Sequence, residues 1–446
     1  MSKSVYYIDT IMGDDLNDGL SSEQALKTYE NMAFLPGDTV LFKRGGIIRG
    51  CLETCDGSEH GYITYGAYGT GEKPVFLGSI SADTPESWIE EQPFIWRYKG
   101  AFCSEVCNII FNHGEMCGNM RWDLKDLKSQ GEWYYTCLGL NSETGRKNPD
   151  RKHGDGILYL FSSDNPGLFY CKIEIALWVN RKLVGGKSHV ILENLSFQNG
   201  GVHGYQEIMA DHIIIRNCEF KFIGGAVWDP DSRIRFGNAV EFWDSAQDIL
   251  VENCIFNNIY DSGVTHQGSD GSGPYERIYF RDNLFEDCGM AAYECRGPAA
   301  GEVYFEHNTC INAGGGFSMQ GEAPPRQSEI YPQPMGHHIF IWRINKNTQK
   351  GYVYIRNNIF YKAPYGAAIY SLIDPEDESR FVIDNNCYYQ EEDKLLMHMG
   401  GKVYNAELFQ LYQTNTGQDK QSIFADPMLI DLTLYGVSPS LAKEKI

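Results

Sequence analysis

The feature that most restricts this chain is a phrase that returns seven times after residue 187. It is a β-rich run, then an asparagine, then an aromatic or apolar residue. The copies are Val190–Phe197, Ile214–Phe220, Leu250–Phe256, Tyr279–Phe285, Tyr304–Cys310, Tyr354–Phe360 and Val382–Tyr388. Their last residues fall at 197, 220, 256, 285, 310, 360 and 388, giving steps of 23, 36, 29, 25, 50 and 28. Steps in the twenties suit one coil of a solenoid, a unit that buries its apolar face only against neighbouring coils. The 36-residue step has room for a loop. The 50-residue step holds either a longer loop or an extra coil. Side chains alternate across each strand, so inward Val, Ile, Leu and Phe stack coil on coil. The asparagine sits at a turn, where its side chain bonds the backbone and tolerates unusual φ. The expected fold is all-β: a right-handed parallel β-helix with an inserted β-rich subdomain.

A second strand follows the phrases: Gly237–Trp243, Asp261–Gln267, Met290–Arg296, Gly315–Gln320 and Tyr365–Tyr370. The first half divides differently. Residues 1–80 read as an N-terminal cap with the first coils, and 187–446 as the main solenoid. Between them, 81–186 breaks the pattern and holds five of the eight Trp, among them Trp88, Trp96, Trp122 and Trp133. It reads equally as one wall of a groove or as a cap over the solenoid's side.

Charge narrows the partners. A formal net charge of −21 repels nucleic acid, anionic membranes and polyanionic polymers, and it tolerates neutral ligands. No run is apolar for long enough to span a bilayer, and the start has no signal-peptide core. Thirteen scattered cysteines read as reduced thiols, so a cytoplasmic location is expected. Asp14–Gly19 fails as a calcium loop, because Leu16 and Ala25 stand where ligands belong. Cys51/Cys55 and Cys103/Cys107 have no matching downstream pair, so no metal is expected.

The carboxylates carry most of the information. Thr265 lies nine residues after Phe256 and Glu294 nine after Phe285, which puts them at one position on adjacent coils. Glu241 fits the same column, although the 229–236 insertion precedes it. Two coils separate Glu241 and Glu294 by roughly 9–10 Å at the backbone. Asp261 stands at the turn before the Thr265 strand. Two carboxyls about 5–10 Å apart suit glycoside hydrolysis, one protonating the leaving oxygen and the other attacking or activating water. Trp228, Trp243, His266, Gln267, Tyr293 and Arg296 gather near them as candidate sugar contacts. His266 reads equally as a satisfied wall histidine.

Several of these stretches look familiar: the opening Tyr6–Asp9, Gly13–Gly19 and Pro36–Gly45, then Gln130–Tyr135, Gly237–Trp243, Tyr260–Gln267, Ala292–Glu294 and the closing Phe424–Pro427 with Ser438–Ser440. Together they resemble right-handed parallel β-helix carbohydrate enzymes, nearest to the family 120 β-xylosidases and family 141 glycoside hydrolases. The resemblance implies Asp261 and Glu294 as the acid pair with Glu241 in reserve, no cofactor, and a plant-type oligosaccharide, such as a xyloside, as substrate. The same architecture also carries lyases and epimerases of uronic-acid polymers and non-catalytic binding solenoids. Self-association is left open by the sequence.

Overall fold

The computed structural model describes residues 3–30, 32–140, 155–269, 272–296, 301–319, 335–343 and 351–429. Gln320 and Ser438–Ser440, named above, lie outside them.

The phrase builds coils of three short strands. The stretch Val240–Trp243 forms the first wall and Ile249–Glu252 the second, both within the long strand Val240–Glu252; Ile255–Ile259 forms the third. Neighbouring coils pair in parallel on every wall, and parallel crossovers of this kind are right-handed. The fold is an all-β, right-handed parallel β-helix. Its third wall stacks rings in the lumen: Phe197 on Phe220, Phe220 on Phe256 and Phe256 on Phe285, with centroids 5.3, 5.4 and 4.6 Å apart. The 50-residue step is one coil, because Tyr352–Arg356 pairs directly with Glu302–Glu306. That coil's first-wall strand is His337–Arg343. The strand expected at Gly315–Gln320 is instead a glycine turn, with Gly314 and Gly316 at φ of 78° and 71°, followed by a 3-10 turn at Phe317–Met319.

The repeated asparagines perform two tasks. Asn194, Asn217, Asn253, Asp282, His307, Asn357 and Asn385 form a left-handed column, with φ between 53° and 59°. Asn, Asp and His bear that geometry better than bulkier residues. The next residue points inward, and from Asn283 onward it too is asparagine. Asn283, Asn308 and Asn358 each donate from Nδ2 to Oδ1 of the next, at 3.1, 3.2 and 3.1 Å, ending on Asn386. Each of these three oxygens also accepts the backbone N–H of the preceding rung. The ladder closes on buried Asp419, which receives Asn386 Nδ2 at 3.3 Å beneath the capping helix Phe409–Thr416.

The interrupting segment forms two small sheets between Ser79 and Leu177, and the chain rejoins the solenoid at Lys182–Val184. They share a core of Trp88, Phe111, Trp133, Tyr135 and Tyr170. The unit packs against the hairpin formed by Ala226–Asp229 and Ile234–Phe236. Buried Arg235 donates to the carbonyls of Gly225 and Cys107 and lies 4.7 Å over the Tyr260 ring.

Candidate functional site

A cleft of about 450 Å³ opens on the first wall. It is lined by Arg181, His203, Trp228, Phe236, Asn238, Glu241, Trp243, Asp261, Gln267, Met290, Glu294, Arg296 and Trp342. The register that builds it runs straight down the coils: Gln206 pairs with Glu241, Glu241 with Thr265, Thr265 with Glu294 and Glu294 with Phe340. The outward column two residues on is Ile208, Trp243, Gln267 and Arg296. Thus seven of the nine candidates from the sequence meet in the cleft: Trp228, Glu241, Trp243, Asp261, Gln267, Glu294 and Arg296.

His266 and Tyr293 do not. Strand side chains alternate, so the residues flanking Thr265 and Glu294 must face the lumen. Tyr293 is fully buried there and stacks on Phe305 at 5.3 Å. Its hydroxyl meets His266 Nδ1 at 3.2 Å, and the His266 ring lies against Tyr275. Both are interior packing residues, and the reading of them as sugar contacts is corrected.

Each acid is held differently. Glu294 receives Ser262 Oγ at 3.2 Å and Gln267 Nε2 at 3.1 Å, both on Oε2. Its Oε1 is buried and has no hydrogen-bond partner among the described residues. Burial pushes its carboxyl up to about 8; Asp261 and Glu241 push the same way, while Arg296 and the Ser262 hydroxyl pull down. Glu294 is therefore largely protonated at neutral pH. Glu241 is gripped on both oxygens, by Gln206 Nε2 at 2.6 Å and Asn238 Nδ2 at 2.5 Å. Asp261 Oδ2 accepts the Gly237 N–H at 2.8 Å. Gly237 has φ of 141°, and a Cβ there would stand 2.3 Å from the Gly224 Cα. Only glycine passes this point and presents its amide to Asp261.

Sequence reasoning missed Arg181, His203, Phe236, Asn238, Met290 and Trp342. His203 was findable: the Tyr205 rung pairs with Val240, so the strand logic extends one coil upstream. Trp342 lies inside the 50-residue step, on the strand His337–Arg343, 4.4 Å under the Arg296 guanidinium. Of residues 81–186, Arg181 alone among the described residues lines the cleft, and the inserted sheets support the hairpin that supplies Trp228 and Phe236. Arg181 also borders a second depression of about 410 Å³, lined by Glu53, Asp56, Lys187 and Glu207 among others.

Among the described residues, one group has metal-ligand chemistry: His189, Asp211 and His212. Asp211 is already bonded to His212 Nδ1 at 2.7 Å, and the two imidazoles stack in parallel at 4.4 Å. Stacked rings aim their lone pairs along parallel planes and not at one point, so the group is a poor cation cage.

Residues 183–331 match the family described as the right handed beta helix region. In solved structures, the chain is similar to that described as the complex of XylC with xylose. The TM-score is 0.50 and the identity 13%, over 89% of this chain and 64% of that one. The chain thus spans less than two thirds of that protein's length. It also matches the GH136 lacto-N-biosidase from Eubacterium ramulus at TM-score 0.44 and 16% identity, over 95% of this chain and 67% of that one. Pectate lyase Pel9A matches at TM-score 0.37 and 12% identity, over 97% and 91%. No curated protein matches.

Proposed function

We propose that the chain is a glycoside hydrolase that cleaves an oligosaccharide with two carboxyl groups. The observation that carries this reading is Glu294: a buried carboxyl in a cleft, protonated at neutral pH, with one oxygen that has no hydrogen-bond partner among the described residues and two other acids facing the same space. Such a group is what a general acid must be. Glu294 gives its proton to the glycosidic oxygen as the bond from that oxygen to the anomeric carbon breaks. Asp261, steadied by the Gly237 amide, attacks the anomeric carbon or deprotonates the water that does. Trp228, Trp243 and Trp342 give the cleft the aromatic surface that sugar rings stack on. The depression beyond Arg181 has room for further sugar units of a longer substrate.

The test is a screen of aryl glycosides and plant oligosaccharides with product analysis. It starts with xylosides, because XylC is described in complex with xylose. Turnover by the wild-type protein and its loss in Glu294→Gln and Asp261→Asn support the reading. Full activity in either variant refutes the assignment of that residue.

Arg181 and Arg296 in the cleft favour a second reading, a lyase or epimerase acting on a uronic acid, whose carboxylate two guanidiniums could neutralise. Three carboxyls in the same cleft weigh against it. Formation of an unsaturated, ultraviolet-absorbing product would reverse the order.

A further inference from the structure

His203 is a buried titratable group of the cleft that stands outside the acid pair. Its side chain is 2% exposed. Its ring is pinned by two contacts. Nδ1 accepts the Asn238 backbone N–H at 3.1 Å, and the ring stands edge-on to Phe236 with centroids 5.5 Å apart. Glu241 Oε2 is 3.7 Å from Nδ1, beyond hydrogen-bond reach, and is already taken by Asn238 Nδ2. A nitrogen that accepts a backbone N–H cannot itself carry a proton, so the ring proton sits on Nε2. The other charges facing the ring are Glu241, Asp261 and Arg181; burial, aided by Arg181, outweighs the two carboxylates and holds the imidazole below its ordinary value, in the neutral form. Nε2 is buried, and no described residue partners it. An orphaned donor of this kind costs about 1–3 kcal/mol unless something accepts from it.

We infer that His203 is a sugar-reading residue whose Nε2–H donates to one oxygen of the bound ligand, beside a Glu241 carboxylate that accepts from a hydroxyl. Donor and acceptor side by side match a polyol, in which each hydroxyl both gives and takes a hydrogen bond. Glu241 then serves recognition, and its grip by Gln206 and Asn238 keeps it fixed as an acceptor. The ligand class is a neutral sugar with an equivalent of this hydroxyl pair. The inference deepens the glycosidase reading and rests on it for its kinetic arm only.

The first measurement is independent of turnover. Long-range proton–nitrogen spectra of protein labelled with ¹⁵N-histidine, assigned by the His203→Gln variant, are expected to show a neutral ring with its proton on Nε2 at neutral pH. Adding xylose as a probe is expected to move the Nε2 signal. A proton on Nδ1, or an imidazolium, overturns the inference whatever the enzyme does. The second measurement uses the best glycoside of the screen with its monodeoxy and deoxyfluoro analogues. Wild type is expected to lose roughly 10- to 100-fold in kcat/KM on the analogue lacking the hydroxyl that His203 reads. Fluorine, a weak acceptor, should recover part of that loss. His203→Phe should flatten this one preference and leave the others, and His203→Gln, which keeps a donor, should restore some of it. Equal losses on every analogue would mean a merely structural histidine and would overturn the inference. If His203→Phe does not fold, His203→Gln alone decides: a selective change at one position supports the inference, and a uniform change or none refutes it. If wild type cleaves no glycoside, the glycosidase reading fails while the spectra still decide His203.

Discussion

The strands Ser262–Gln267 and Ala291–Arg296 have two faces that differ in kind. On the lumen side, His266, Tyr293 and Cys295 satisfy one another: the tyrosine hydroxyl meets His266 Nδ1, and the Cys295 thiol lies 3.7 Å from His266 Nε2. On the cleft side, Thr265 Oγ1 and Glu294 Oε1 are equally buried and have no hydrogen-bond partner among the described residues. One residue of displacement along the chain separates a closed polar network from an open one. Buried polar groups are mostly paired, so the open face is the one with hydrogen-bonding capacity left over.

That contrast can be broken from either side. The largest effect is expected on the open face: Glu294→Gln and Asp261→Asn should each lower kcat about 10³-fold or more while the circular-dichroism spectrum of the fold is retained. Steady-state kinetics on the best glycoside of the screen checks it. On the closed face, Tyr293→Ala should cost about 3–5 kcal/mol of stability in denaturant melts, through a cavity beside Phe305. Tyr293→Phe should keep turnover, which a sugar-contacting tyrosine would not allow. At the turn between walls, Asn308→Ala should cost about 2–3 kcal/mol, because it strips the Asn283 amide and side chain of their acceptor.

A smaller effect comes from protons. Glu294 holds its proton up to about 8 in the fold and releases it near 4.5 when unfolded. Between those values the native state binds more protons, so this group's contribution to stability falls as pH rises. Glu294→Gln removes that slope. Its melting temperature relative to wild type should therefore be higher at pH 8 than at pH 5, by an amount equivalent to about 1–4 kcal/mol. Wild-type turnover should decline as pH passes about 8. The smallest change should come at the rim, where Trp228→Ala is expected to raise KM about tenfold and leave kcat nearly intact.

Much of this was legible in the residues. The nine-residue spacing after Phe256 and Phe285 placed Thr265 and Glu294 in register because a parallel wall has no freedom to slip once its aromatic columns stack. The same alternation should have excluded Tyr293 and His266; their neighbourhood to acids in the chain obscured the side they face. Arg181 and Trp342 stayed hidden for a topological reason. One follows the inserted sheets and the other lies inside the 50-residue step, so no local pattern ties either to the acids. His203 carries no motif at all, and its meaning lies in which of its nitrogens the backbone occupies.

The straight column of Gln206, Glu241, Thr265, Glu294 and Phe340 has a further consequence: the wall is a ruler with fixed graduations. Groups on one column can sit only at multiples of about 4.8 Å at the backbone. Glycosidases need carboxyl separations near 5–5.5 Å or 6.5–9.5 Å, according to whether water must fit between. Neither range is reached by moving a residue a little along a column; it takes a whole coil or an acid off the column. Asp261, seated at the corner and not on the wall, supplies the fractional graduation. A change of stereochemical outcome in such a scaffold would therefore come from remodelling that corner, with the coils themselves left uncounted and intact.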